Sequence, residues 1–307
     1  MDNKHLYGIL QIEPPELVLE EVMQILNLIS PQIDTESIES WFEMTVDLYT
    51  GKYPGYKACN TLYHDLTHTI DTFLAMARLI HGSVIDGKTF SNRDILLGLK
   101  AALLHDSGYI QEEDDNETTG AVHTSVHVPR SMNFFKLHGS VNDLSDGDVE
   151  SGRSMILYTD LEQDGSNIPF PSARVELLGK FLAAADLMAQ ASDRIYLEKL
   201  LLLYGEFKEG KIEQYESEED LLKKTIGFYD FINHRIKMLL KNIDRYMSLH
   251  FVTQWGIYQN LYSIAMDKQK KYLKMILKRP GSPLQHLKRG GIVKKVMGEK
   301  KDMGEEQ

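Results

Sequence analysis

From Glu16 to Leu277 apolar residues recur at intervals of three and four, and no segment bounded by turn residues shows period-two alternation. That spacing suits helices that bury one stripe and leaves no candidate for a half-buried strand. The expected fold is all-α. Prolines and glycines punctuate it. Pro14-Pro15 closes a short arm over residues 1–15, Pro31 stops the helix that begins at Glu16, residues 51–60 form a loop, and Pro280-Gly281 ends the last helix. The spacing predicts helices over 35–48, 61–80, 92–105, 117–137, 148–161, 172–190, 193–207, 216–241 and 244–277. With 42% hydrophobic residues and no linker inside it, the stretch 16–280 reads as one multi-helix domain. Residues 281–307 are expected to be a disordered tail of mixed charge.

Composition removes several function classes. A net charge of −11 argues against nucleic acid as a partner. The lysines from Lys268 to Lys278 read as a solvated helix end. One cysteine, Cys59, excludes a disulfide framework and fits a small buried apolar residue. Neither a basic-plus-apolar leader nor an apolar run of spanning length is present, so the expectation is a cytoplasmic protein that does not enter a membrane. There is no glycine-rich phosphate loop, Gly-x-Ser-x-Gly elbow or paired-cysteine zinc motif.

Chemistry concentrates in a few places. His105-Asp106 ends an apolar helix and offers an imidazole and a carboxylate to the same cation. His64 and His68 are four apart on a predicted helix, which places both rings on one face. Asp186 lies in the run Phe181-Leu182-Ala183-Ala184-Ala185-Asp186-Leu187-Met188, where a carboxylate is costly unless paired or metal-bound. His68, His105, Asp106 and Asp186 make a mixed donor set suited to one or two divalent ions of Zn, Mn, Fe or Mg. His123 and His127 form a second pair at four-residue spacing, which completes a second ion site, lines the pocket or, lying just after an acidic loop, is exposed. His64 is left as a further ligand or as a proton donor.

The order of these residues resembles the HD superfamily of metal-dependent phosphohydrolases, most closely the catalytic domain of class I cyclic-nucleotide phosphodiesterases. Tyr63-His64-Asp65-Leu66-Thr67-His68 is similar to that family's Y-H-N-x-x-H signature. Ala102-Leu103-Leu104-His105-Asp106 is similar to its second metal motif. Met155 to Leu161 looks like its V-L-A-T-D-M stretch, Ala185-Asp186-Leu187 like its late A-D-L step, and Ile226 to Ile232 like V-G-F-I-D-Y-I. The resemblance implies an all-helical metal-dependent phosphohydrolase acting on a small phosphate ester or nucleotide, and it is compatible with self-association. It implies His64 as general acid, the four residues above as ligands of the tighter ion, and Asp106 as a bridge to a second. It places Thr159 and Asp160 in the pocket floor, Asp160 with a catalytic part, and Tyr63, Tyr109, Thr225 and Phe228 around the substrate. This chain departs from the family in having Asp65 for Asn, Tyr109 for the second His of H-D-x-x-H, and Thr225 for the purine-binding Gln. The last change removes a paired contact to a purine edge, so cAMP and cGMP are expected to be poor substrates. Two other readings of the same scaffold are a catalytically weak signalling module and a di-iron oxygenase.

Overall fold

Side chains just ahead of the helices set where they begin. The computed structural model describes residues 1–142, 144–238 and 240–305, and of residues 299–305 the backbone alone. Its helices are α1 (Asn3–Leu10), α2 (Pro15–Ile29), α3 (Thr35–Tyr49), α4 (Leu66–Ile85), α5 (Asn92–Leu104), α6 (His127–Val141), α7 (Asp146–Leu157), α8 (Ala173–Ser192), α9 (Tyr196–Glu209), α10 (Glu218–Met238), α11 (Arg245–Trp255), α12 (Leu261–Ile276) and α13 (Ile292–Glu305). Among the described residues there is no strand, only an isolated antiparallel bridge between Tyr56 and Glu112. Capping boxes open α5, through Ser91 and Asp94, and α7, through Ser145 and Asp148. Ser172 opens α8, and Pro15 occupies the first turn of α2, where a missing N–H costs nothing.

Helix α4 forms the axis of the domain. It is buried over most of its length and packs against α2, α5, α8 and α11. Alanines at 75, 77 and 183–185 are buried in α4 and α8, and the two helices pack on each other. Where α11 crosses α4, a Cβ on Gly82 would lie 1.8 Å from the Tyr246 carbonyl oxygen, so only glycine allows that approach. Arg235 of α10 is buried and donates to the carbonyls of Tyr158, Asp160 and Leu161, which fixes the turn that follows α7. Among the described residues no helix is long and apolar enough to cross a membrane.

The structure departs from the sequence expectations at both ends and where several expected helices start or break. Residues 1–15 are not a loose arm: α1 buries Leu6, Tyr7, Ile9 and Leu10, and Arg78 donates to the Ile9 carbonyl at 2.7 Å. Eight residues with Leu6, Ile9 and Leu10 on one side supply a stripe that α12 covers. Past residue 280 the chain continues over the domain, burying Leu284 and Leu287 before α13. The buried carboxylate of Glu198 accepts the backbone N–H groups of Gly290 at 2.9 Å and Ile292 at 3.3 Å and so holds this segment. Of the expected disordered tail, residues 306–307 lie outside the described residues. The single helix expected over 244–277 is two, because Gly256 takes a left-handed φ of 66° after α11 and Asn260 caps a new start.

Candidate metal centre

Asp65 decides the local geometry around the first histidines. Its side chain accepts the His68 N–H at 2.9 Å, which makes it the N-cap of α4 and leaves His64 outside the helix. The shared helix face expected for His64 and His68 does not form. His68 sits in the first turn of α4, its ring buried. His105 follows the end of α5, and Asp106 opens a short 3-10 turn over Ser107–Tyr109. That turn is held by the Ser107 hydroxyl on the Leu104 carbonyl and by the Gly108 N–H on the Ser131 hydroxyl. A Cβ on Gly108 would lie 2.0 Å from the His127 carbonyl oxygen, so the glycine lets the start of α6 close against the turn. Asp186 comes from the middle of α8.

Three separate segments thus deliver four donors to one point. His68 Nε2 lies 3.2 Å from Asp106 Oδ2 and 3.2 Å from Asp186 Oδ1. His105 Nε2 lies 3.4 Å from Asp106 Oδ2, 3.9 Å from Asp186 Oδ1 and 3.4 Å from His68 Nε2. The His105 Nδ1 contacts the Ala102 carbonyl oxygen at 2.8 Å. A carbonyl can only accept, so Nδ1 carries a hydrogen, and Nε2 is the ring nitrogen turned toward the carboxylates. Two imidazole nitrogens and two carboxylate oxygens therefore face one another, and among the described residues no Lys or Arg pairs with either carboxylate. Acceptors crowd this way only around a cation or a proton. Burial works against charge on His68, yet the carboxylates of Asp106 and Asp186 outweigh it and raise its pKa to about 10. Burial likewise opposes ionisation of the two aspartates, but the neighbouring imidazoles hold Asp106 well below the ordinary carboxylate range and lower Asp186 too. Chemically, the donor set fits a divalent ion. His68, His105 and Asp106 form the tight core of that set.

His64 stands beside the cluster, its ring centre 5.9 Å from that of His68. Its Nδ1 meets Glu206 Oε2 of α9 at 2.6 Å. The other Glu206 oxygen accepts the Tyr63 N–H at 2.6 Å and the His64 N–H at 3.4 Å. Burial pulls the His64 pKa down, the Glu206 carboxylate pushes it up, and the net direction is up. Tyr109 stacks on His64, with ring centres 4.4 Å apart and planes 10° apart, and on His127, at 4.6 Å and 21°, while the two imidazoles lie 6.2 Å from each other. His127 donates from Nδ1 to the Thr124 carbonyl at 2.6 Å, and its Nε2 lies 3.9 Å from Asp106 Oδ1. Asp106 thus offers one oxygen to His68 and His105 and turns the other toward His127.

Other expected site residues fall elsewhere. His123 pairs with Asp115 at 2.8 Å, away from the cluster. Tyr63 is buried and donates to Gln190, whose amide donates to Asp186 at 2.9 Å, so it acts on a ligand through an intermediary. The Thr159 hydroxyl is spent on the Ile156 carbonyl and the Thr225 hydroxyl on the Leu221 carbonyl. Asp160 accepts from the Glu162 N–H and the Gln163 amide within its own turn, and Phe228 stacks on Phe231. No hydrogen bond, ion pair or ring contact described for these four reaches the cluster. Sequence reasoning missed Glu206 and Gln190. Gln190 lies one turn after Asp186, a spacing that signals a side-chain pair. Glu206 gives no such signal, since Glu198 and Glu209 on the same helix look alike in sequence.

A family model described as Npun_R2479-like matches residues 53–269, a span that contains every residue of the cluster and Glu206. No curated protein matches the chain.

Proposed function

The chain belongs to the Npun_R2479-like family, and we propose that it is a metal-dependent phosphohydrolase that cleaves a phosphodiester or a nucleotide phosphate. The observation that carries this reading is the convergence of His68, His105, Asp106 and Asp186 on one point, with a carboxylate-backed imidazole beside it. The resemblance to HD phosphohydrolases agrees with it. His68, His105, Asp106 and Asp186 would hold a divalent ion, which when bound would activate water near neutral pH and offset charge on phosphoryl oxygens.

The remaining work falls to side chains of the protein. Hydrolysis breaks a P–O bond and leaves an alkoxide, which needs a proton. Glu206 raises the His64 pKa against burial and so favours the protonated ring, and the Nδ1 contact to Glu206 leaves Nε2 as the atom that donates. Tyr109 fixes the plane of the His64 ring by stacking on it. Gln190 and Tyr63 hold Asp186 in its rotamer.

The test separates acid from ligand at His64. In His64→Asn, metal content should be unchanged, and turnover of an alkyl phosphodiester should fall by roughly 10²–10⁴, the usual contribution of a positioned proton donor. Turnover of bis-p-nitrophenyl phosphate, whose leaving group needs little protonation, should fall far less. Equal losses on both substrates together with loss of metal would make His64 a ligand and remove the acid from the scheme. Absence of any phosphatase or phosphodiesterase activity in the metal-loaded wild type, across cyclic and linear nucleotides, would overturn the reading altogether.

A further inference from the structure

A cavity of about 260 Å³ lies on the far side of the Ser107–Tyr109 turn, and none of the cluster residues lines it. Ser107 and Gly108 form its back, while Arg130, Phe134 and Leu137 of α6 form one wall and Tyr56 with Glu112 stand on the loop side. Its lining is mostly apolar. Val126 and Leu137 at its rim leave 44% and 52% of their surface exposed and so offer apolar area to a ligand. Its volume sits below the roughly 300–1,000 Å³ of drug-sized ligand sites, which points to a small metabolite.

Two opposite charges border this apolar space without meeting. Glu112 is held on braced backbone: it bridges to Tyr56, while Lys57 N–H bonds the Gln111 carbonyl at 2.9 Å and Glu113 N–H bonds the Gly55 carbonyl at 3.0 Å. Among the described hydrogen bonds and ion pairs, none involves its carboxylate. Arg130 is oriented by donating Nε to the Gly108 carbonyl at 2.7 Å and Nη2 to the Ile110 carbonyl at 3.1 Å, and no described bond uses Nη1. Both charges bear on the Tyr56 hydroxyl: burial raises its pKa first, Glu112 adds to the rise and Arg130 opposes it. Tyr56 in turn packs edge-on against Phe134 at 5.2 Å, which sets the depth of the apolar floor. A guanidinium oriented by two backbone carbonyls, an exposed carboxylate on braced backbone and the apolar lining beside them suit a carboxylate and an ammonium on one carbon, with an apolar side chain.

We propose that this cavity binds a free α-amino acid with an apolar side chain, its carboxylate on Arg130, its ammonium on Glu112 and its side chain against Phe134 and Leu137. The site is independent of the phosphohydrolase reading. It adjoins the metal centre through the Ser107–Tyr109 turn, whose Ser107 and Gly108 line it and follow Asp106 directly.

The experiment is calorimetric titration of the full chain with L-leucine, L-methionine and L-phenylalanine, alongside 3-phenylpropionate and phenethylamine, which each lack one charge. At least one amino acid should bind, and removal of either charge should weaken binding roughly tenfold or more, as loss of a charged hydrogen bond does. Glu112→Gln, at an exposed position, should weaken the amino acid to a similar degree and leave 3-phenylpropionate unchanged. Leu137→Arg, also exposed, should block all of them while far-UV helicity is kept. Absence of heat from all three amino acids at about 10 mM would overturn the proposal, because even a millimolar site would then be nearly filled. Binding that Glu112→Gln and Leu137→Arg both leave intact would overturn it as well.

Discussion

Replacing Glu206 by Gln keeps the size of the side chain and removes only its charge. The Nδ1 to Oε2 separation of 2.6 Å marks a charge-assisted hydrogen bond between a half-buried imidazole and a buried carboxylate. Such bonds contribute about 1.5–3 kcal/mol net and neutral ones about 0.5–1.5. The protonated His64 should therefore lose about 1–1.5 kcal/mol of stabilisation, which is roughly tenfold in rate for a step that needs its proton. The backbone N–H groups of Tyr63 and His64 can still donate to the amide oxygen of the introduced glutamine, so the local fold should hold. The pH dependence carries the sign. Glu206 raises the His64 pKa against burial, so removing its charge lets burial lower it. On the proposed scheme the acid form is the active one, so activity should fall as pH rises through that pKa. In Glu206→Gln the falling limb should move to lower pH. The assay is kcat/KM against pH for an alkyl phosphodiester, with metal content measured on the same samples. A limb that stays put or moves to higher pH, at unchanged metal content, would refute the assignment of Glu206 as the group that keeps His64 protonated.

Two further outcomes are expected. Gly108→Ala places a Cβ 2.0 Å from the His127 carbonyl oxygen and 2.8 Å from the Ser131 nitrogen, both backbone atoms, so α6 must shift. Overpacking of this kind costs about 1–3 kcal/mol, and thermal denaturation should show a lower Tm together with weaker metal retention; an unchanged Tm would mean the contact is loose. Cys59 has its thiol pushed up to about 11 by burial, so iodoacetamide at pH 8 should label it far more slowly than a free cysteine; mass spectrometry reads this directly, since the chain has a single Cys.

What is legible in the sequence follows from how incongruous a residue is in its setting. Asp186 stands out because a carboxylate in an alanine- and leucine-rich helix has few uses, and the structure brings it to His68 and His105. The helices are legible for the same reason, since a stripe of apolar residues has to be covered. Segment ends are less so. Asp65 can sit inside a helix or cap one, and its bond to the His68 N–H decides for the cap, which moves His64 off the helix. The short stripe of Leu6, Ile9 and Leu10 hides behind Pro14-Pro15. Glu206 cannot be found from local pattern at all. It reaches His64 from 142 residues away, through packing that no short segment encodes. Thr159, Asp160 and Thr225 are singled out by family order alone, and their hydroxyl and carboxylate groups are engaged close to home.

The central claim is that four side chains from three segments hold a metal ion. Elemental analysis of the purified chain, of His105→Ala and of Asp186→Ala tests it most directly, with far-UV circular dichroism on each sample. Wild type should carry at least one divalent transition metal per chain. Both variants should lose it while their helicity stays largely intact, because Ser91 and Ser172 still open α5 and α8. Full metal occupancy in both variants, or a wild type that stays metal-free when supplied with Zn, Mn and Fe, would contradict the assignment of the site.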